Sequence, residues 1–454
     1  MSTSTVRTML VTLLLSTGAA FSQTITLSPT IGPPTTTVEV SGGGFSPMAA
    51  ITISFGANSA AATADGFGAF SNVAIQAPAS ALPGPETVSA APMTGTGAQA
   101  TFTVYTDWRQ FGFAPNHSSF NPYENELSPT SVGKLALLWY AFPGSPNAFS
   151  AAAVVNGVIY ASTYDFLDFN VYAFDTSTGS QLWTFETGAR VYSSPAVANG
   201  VVYAGSDDHN VYALDATKGT KIWSYTTGGN VTSSPVVTNG KMFVGSWDGN
   251  LYAFNASTGE KLWNYTTGNS VASSPAVANG VVYVGSQDNN VYAIEASNGA
   301  KLWNYTTGGG QSSPAVVNGV VYTGSGDGNV YALNAKSGAL LWSSAIGGGN
   351  AGSPAVANGV VYINSASGTL YALNASTGSV QWTFTSGLGF VPPVVANGVV
   401  YTSSYQTAYA LNAVTGVMLW SFPTHIPVNS SPTVANGKLY VSLGGVLYAF
   451  GLPR

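Results

Sequence analysis

Four aspartates, Asp208, Asp248, Asp288 and Asp327, recur in the same slot of a repeating text, each followed by His, Gly or Asn. Carboxylates at one level of a symmetric fold can hold a hard cation, which takes oxygen ligands. The same residues also suit a plainer role. Asp-His, Asp-Gly and Asp-Asn are turn pairs in which the carboxylate bonds nearby backbone, and this reading is preferred. The three histidines, His117, His209 and His425, are too scattered in sequence to form a metal motif. The chain has no cysteine, which removes disulfides, thiolate metal sites, haem attachment and a lipid anchor on cysteine. No nucleophile elbow, phosphate loop or dinucleotide fingerprint has the strand and helix it needs. No catalytic residue and no metal site is therefore expected.

Recognition chemistry is better represented. The loops that differ between repeats carry Tyr164, Phe166, Tyr192, Trp247, Phe390 and Tyr405, with Arg190 as the one basic residue in the connections besides His425. Aromatics of this kind can rim a shallow binding surface, or they can simply cap strand ends. Trp247, Arg190, Tyr405 and Tyr164 are the residues expected to share one face and to form part of a ligand or partner site.

The elements that must position them follow from a repeat. Tyr-Ala pairs begin at Tyr172, Tyr212, Tyr252, Tyr292, Tyr331, Tyr371, Tyr409 and Tyr448, at steps of 38 to 40 residues. They number the repeats 1 to 8 below. Asn-Gly pairs and tryptophans keep the same rhythm. Within a unit, SSPAV leads to Asn-Gly, whose positive φ angles suit a tight hairpin. VVYVGS and VYAIEA alternate as strands, and KLWNYT follows an STG or SNG turn. A unit of about 40 residues with four strands and no helix matches a propeller blade.

Repeat 8 stops after VLYAF and lacks its Trp strand, while KLALLWYAF, Lys134 to Phe142, stands unpaired ahead of the array. That early strand is expected to complete the last blade, so that no open edge remains. Residues 134–454 then form an all-β, eight-bladed β-propeller with N-terminal strand closure. The zigzag of strands puts the Asn-Gly and Ser/Thr-x-Gly turns on one face, nearly constant between repeats. The variable loops and the blade-to-blade connections share the other face.

ALDATKGTKIW, with Ala213, Asp215, Gly219 and Trp223, resembles the tryptophan-docking motif of pyrroloquinoline quinone (PQQ) repeat propellers, and it recurs through ALNAVTGVMLW. The lead-in DWRQFGFAPNHSSFNPYENELSPTSVGKLALLW is similar to the segment that precedes such propellers. The resemblance spans 107–454 and implies that each tryptophan packs between neighbouring blades. A buried Trp truncated to Ala typically costs ~3–5 kcal/mol. The resemblance also raises a PQQ-dependent oxidoreductase as the alternative function. Alcohol-oxidising quinoproteins carry adjacent bridged cysteines over the cofactor, a calcium held by carboxylate and amide oxygens, and an aspartate base. The bridge is impossible here, and no cofactor is expected, PQQ with calcium being the alternative. A further alternative is the propeller lipoprotein of outer-membrane protein assembly, whose lipidated cysteine has no counterpart in this chain.

Residues 23–105 differ in kind: short alternating runs such as AITISF and ATFTV lie between Gly, Pro and Ser clusters, as in a small β-sandwich. VSGGGFSP and ALPGPETVSA resemble bacterial immunoglobulin-like modules of the IPT/TIG type. Residues 106–133 are expected to be an ordered lead-in because they are rich in aromatics. Arg7 before MLVTLLLSTGAAF, with Ala20-Phe21-Ser22 as a cleavage site, reads as a signal peptide over 1–22. That run is too short to span a membrane. A periplasmic or secreted protein without a lipid anchor follows. Only 7% of residues are charged, and twelve Lys plus Arg face eighteen Asp plus Glu, so nucleic acid is an unsuitable partner. The expected protein is an exported, monomeric, non-catalytic binding or scaffolding module for a neutral glycan, a peptide or a protein surface.

Overall fold

Asn-Gly demands two successive residues in the left-handed region, and each repeat supplies them: Asn199 and Gly200, for example, have φ of 50° and 76°. The computed structural model describes residues 22–142, 149–164, 168–347, 349, 351–385, 387, 391–404, 406–423, 430–443 and 445–453. The expected signal peptide lies almost wholly outside them. The chain divides into two compact units, one ending at Val104 and the other running from Tyr105 to Arg454.

In the larger unit, repeat 2 shows the rule. Ala196–Ala198, Val201–Gly205, Asn210–Asp215 and Lys221–Thr226 form an antiparallel sheet in chain order. The second and third strands are buried almost throughout because neighbouring sheets cover both faces, while the fourth alternates between exposed and half-buried positions. Seven four-stranded sheets and one five-stranded sheet repeat this order. Their first strands touch in succession, and that of repeat 8, Thr433–Ala435, reaches that of repeat 1, Ala153–Val155. This is a β-propeller. The early strand pairs antiparallel with Val446–Gly451, as the sequence anticipates, but it covers Ala136–Ala141. Lys134 belongs instead to a short 3-10 turn, Val132–Lys134, that swings the chain into the sheet.

One interaction joins each repeat to the next. The indole N–H of Trp183 donates to the Ala216 carbonyl at 2.9 Å, and the Tyr160 hydroxyl donates to the same oxygen at 3.2 Å. Trp303 and Tyr283 meet at Ala335, Trp342 and Tyr322 at Ala375, and Trp382 and Tyr362 at Ala413 in the same way. The ring closes through Trp420 to Leu135 and Trp139 to Thr176. Repeat 3 has Phe243 in place of the tyrosine, and Lys241 Nζ supplies the missing donor to Ala296 at 3.0 Å.

The smaller unit holds a three-stranded sheet, Thr24–Ser28, Thr37–Gly43 and Phe70–Gln76, and a five-stranded one. Val38, Val40, Ile51, Ile53, Phe55, Val88 and Phe102 form their common buried core. Sequence patterning misses the edge strand Asn58–Thr63. It is alanine-rich and mostly solvent-facing, so pairing with Ala50–Phe55 defines it and composition does not.

Two glycines separate the contribution of the tryptophan seat from backbone strain. Gly280 (φ 77°) has open space where a Cβ would sit, whereas at Gly299 (φ 78°) that atom would lie 2.8 Å from the Trp263 ring. Gly280→Ala is expected to cost about 1–2 kcal/mol, the strain of a left-handed residue. Gly299→Ala should cost about 1–3 kcal/mol more through overpacking. Denaturant unfolding of the two variants measures the difference, and equal losses would contradict it.

Candidate functional site

A propeller offers two faces and a central channel, and the lead-in occupies one end of that channel. Each first strand contributes a valine two residues before its Asn-Gly pair, and residues 108–121 reach all of these valines in chain order. Trp108 exchanges backbone hydrogen bonds with Val154. Val197 donates to the Arg109 carbonyl, Val237 to Gln110 Oε1, Val277 to Pro115, and Val316 to Asn116. Val356 and Val395 donate to Ser118 and Ser119, and the Asn121 side chain donates to the Val434 carbonyl at 2.9 Å. Phe120–Asn121 also adds a parallel strand beside Val394–Ala396. The channel mouth at the Asn-Gly turns is therefore filled by the chain itself. His117 is buried in this plug beside the Pro314 backbone. Burial lowers its pKa to about 3 and keeps the imidazole neutral.

The other face is built from the loops after the second strands and the connections between repeats. Asp207 N–H donates to the Arg190 carbonyl, and Trp247 N–H to the Asn230 carbonyl, so loop and connection are bonded at equivalent points of neighbouring repeats. Tyr164 stacks on Tyr192 with ring centroids 4.8 Å apart, and Arg190 Nη1 donates to the Tyr192 hydroxyl at 3.2 Å. Trp247 is 51% exposed, with its indole N–H held by Thr232 Oγ1 at 2.8 Å. Tyr164, Arg190 and Trp247 thus lie on adjacent loops of one rim. Tyr405, Phe166, Phe390 and His425 lie outside the described residues. Tyr192, named among the loop aromatics but not among the four expected site residues, and Asp207, which the sequence did not single out, join this rim. Tyr192 was visible as an aromatic in a variable connection, while Asp207 was hidden beside the repeating Asp208.

The recurrent aspartates are structural staples. Asp248 Oδ1 accepts from Asn250 N–H, and Oδ2 accepts from the Tyr252 hydroxyl at 2.6 Å and from Gly228 N–H at 2.8 Å. Asp208, Asp288 and Asp327 repeat this set, each reaching back to the glycine of the preceding connection. Burial opposes the charge on Asp248, Asp288 and Asp327, but the tyrosine and backbone donors outweigh it and hold the carboxyls below their usual range. Asp168 takes the same tyrosine bond in repeat 1 at 3.0 Å. The signal in sequence was the Asp-x-x-x-Tyr spacing. Among the described residues no three His, Cys, Asp or Glu side chains converge on a metal-sized space. With their oxygens already bonded, these aspartates do not fit a calcium-held quinone.

A groove of about 660 Å³ lies between repeats 3 and 4 on the Asn-Gly face, lined by Lys241, Phe243, Asn279, Glu295 and Leu302. Lys241, which lines it, is already engaged with the Ala296 and Ser297 carbonyls.

Fold and repeat together define a β-propeller of the PQQ-like class. The chain belongs to the family described as outer membrane protein assembly factor BamB, which matches at residues 144–236, 167–314, 306–389 and 384–451. No curated protein matches the sequence. Among solved structures, BamB from Moraxella catarrhalis is 19% identical with a TM-score of 0.60, over 70% of this chain and 99% of that one. The quinohemoprotein alcohol dehydrogenase ADHIIG of Pseudomonas putida HK5 is 18% identical with a TM-score of 0.64, over 76% and 80%. A computationally designed protein, Ika8, is 15% identical with a TM-score of 0.63, over 69% and 99%. At these identities the likeness establishes the fold alone.

The neutral His117 has a pH signature. Its folded pKa is depressed below the unfolded value, so the unfolded chain takes up a proton first as pH falls. Its stabilising contribution is complete above about pH 6.5 and declines as pH drops from there toward 3. Chemical denaturation between pH 7.5 and 4.5 should show stability falling, with a shallower slope in His117→Phe. An identical slope in the variant would refute the assignment.

Proposed function

We propose that this chain is an exported, non-catalytic binding or scaffolding protein. In this reading it is an eight-bladed propeller preceded by an immunoglobulin-like module of the IPT/TIG kind over residues 23–105, and its ligand or partner sits on the face of the variable loops. Trp247, Arg190, Tyr164 and Tyr405 are assigned to that surface. One observation carries the reading. The lead-in fills the channel mouth on the Asn-Gly face, bonded to all eight inner strands, while exposed and pre-oriented aromatics stand on the opposite rim. Function on a rigid scaffold falls to the loops that are free to differ. The family to which the chain belongs is described as an assembly factor, which supports a scaffolding use of the face over catalysis. The quinoprotein alternative draws on the shared fold of the alcohol dehydrogenases, and the bonded aspartates count against it.

The variable face is tested with any partner recovered by crosslinking the exported protein. Trp247→Ala and Arg190→Ala should each weaken it, by ~2 kcal/mol or more at a binding hot spot. Substitutions at Asn279 or Thr377, on the opposite face, should change stability without selective loss of binding. The reverse pattern in well-folded protein would place the site on the other face.

Export has its own test. N-terminal sequencing of the secreted or periplasmic form should begin at or near Gln23. A cytoplasmic protein retaining Met1 as the main form would overturn export.

A further inference from the structure

The rim shared by repeats 1 to 3 has a more definite chemistry than a general docking surface. Two aromatic plates stand on this rim, Tyr192 on the connection between repeats 1 and 2 and Trp247 on the loop after the second strand of repeat 3, and both are fixed. Tyr192, 40% exposed, is held by its stack on Tyr164 and by the Arg190 guanidinium. Trp247, half exposed, is held through its indole N–H by Thr232, and Ser270 Oγ donates to its backbone carbonyl at 3.1 Å. Rings fixed before binding lose little conformational entropy when a ligand arrives.

Between the plates the surface is polar and electrically balanced. Arg190 and Asp207 lie side by side, with the Asn230 amide beside the carboxylate. The Asn230 side chain bonds the Asp207 carboxylate, whose Oδ1 is shielded from solvent. Charge-paired and bonded to one another, these groups form a polar floor that a hydroxyl, able both to donate and to accept, can join at its exposed edge.

Three ligand classes can be weighed on these observations. A polyanion gains nothing from an arginine already offset by an aspartate. A proline-rich peptide in an extended helix docks on aromatic grooves, but the Trp247 N–H is already committed to Thr232 and cannot donate to a peptide carbonyl. The ring therefore offers only its apolar face. A pyranose has one apolar C–H face for such a plate, and its hydroxyls both donate and accept, which matches an acceptor beside fixed donors.

We propose that the Tyr192, Arg190, Asp207, Asn230 and Trp247 rim is a binding site for a neutral oligosaccharide, with sugar rings on Tyr192 and Trp247 and hydroxyls on the polar group of Arg190, Asp207 and Asn230 between them. The proposal rests on the reading that the variable face is the binding face.

Titration of the full exported protein with cellohexaose, maltohexaose, laminarihexaose and chitohexaose, followed by tryptophan fluorescence and calorimetry, tests it. A decaproline-containing peptide serves as a parallel probe. At least one hexasaccharide should bind, and Trp247→Ala, Tyr192→Ala and Asp207→Asn should each weaken it about tenfold or more without a change in unfolding midpoint. Absence of binding by all four sugars overturns the proposal. If the peptide alone binds and Trp247→Ala abolishes it, the sugar assignment falls while the variable face stands. If a sugar binds and all three variants are silent, both fall.

Discussion

One carbonyl oxygen per repeat, just past the end of the third strand except in repeat 8, where Leu135 supplies it, holds this propeller together. It accepts the indole N–H and, in most repeats, the tyrosine hydroxyl of the preceding repeat. Where both bonds form, two large side chains are buried between sheets with their polar atoms satisfied, the condition under which Trp and Tyr contribute most to a core; the Tyr401 and Tyr440 hydroxyls are buried without this partner. The aspartate staple acts similarly at the other face, drawing the preceding connection down through its glycine N–H. Repeats 2 to 5 are thus fastened to their predecessors at both ends. A chain without disulfides can hold a ring in this way because the tryptophan fastening recurs around it.

The two staples also explain where variation is tolerated. Asp248 accepts three bonds within a loop whose preceding residue, Trp247, is free of that duty and points outward. The same slot holds Asp207, Gln287 and Gly326 in other repeats. Structural work is assigned to one residue of the loop and recognition to the residue before it. On the Asn-Gly face no such division is available, since the plug and the turns are bonded to the inner strands at every repeat.

Much of this was legible in the sequence because periodicity reports pairing. The four strands of each unit, the Asn-Gly hairpins and the pairing of the early strand with Val446–Gly451 followed from spacing and turn chemistry. The path of residues 108–121 around the inner strands was not legible. Its bonds run through backbone carbonyls of residues as unlike as Arg109, Pro115 and Ser119, and backbone pairing leaves no compositional mark. Asp207 stayed hidden for a related reason: its role depends on a connection that lies beside it only once the ring has formed. The repeat thus announces the scaffold, while the rim arises from neighbours distant in sequence.

The lead-in also sets a temporal order. Thr106 and Asn436 bond each other across 330 residues, and the early strand must wait for the last strand of the chain. A contact of this span forms slowly, because the intervening chain must be ordered first. The beginning of the propeller is made early in synthesis but can be finished only at the end. Until Val446–Gly451 pairs with it, Ala136–Ala141 leaves that sheet edge open. Ring closure therefore couples segments far apart in synthesis, and the sheet edges disappear only when the two meet.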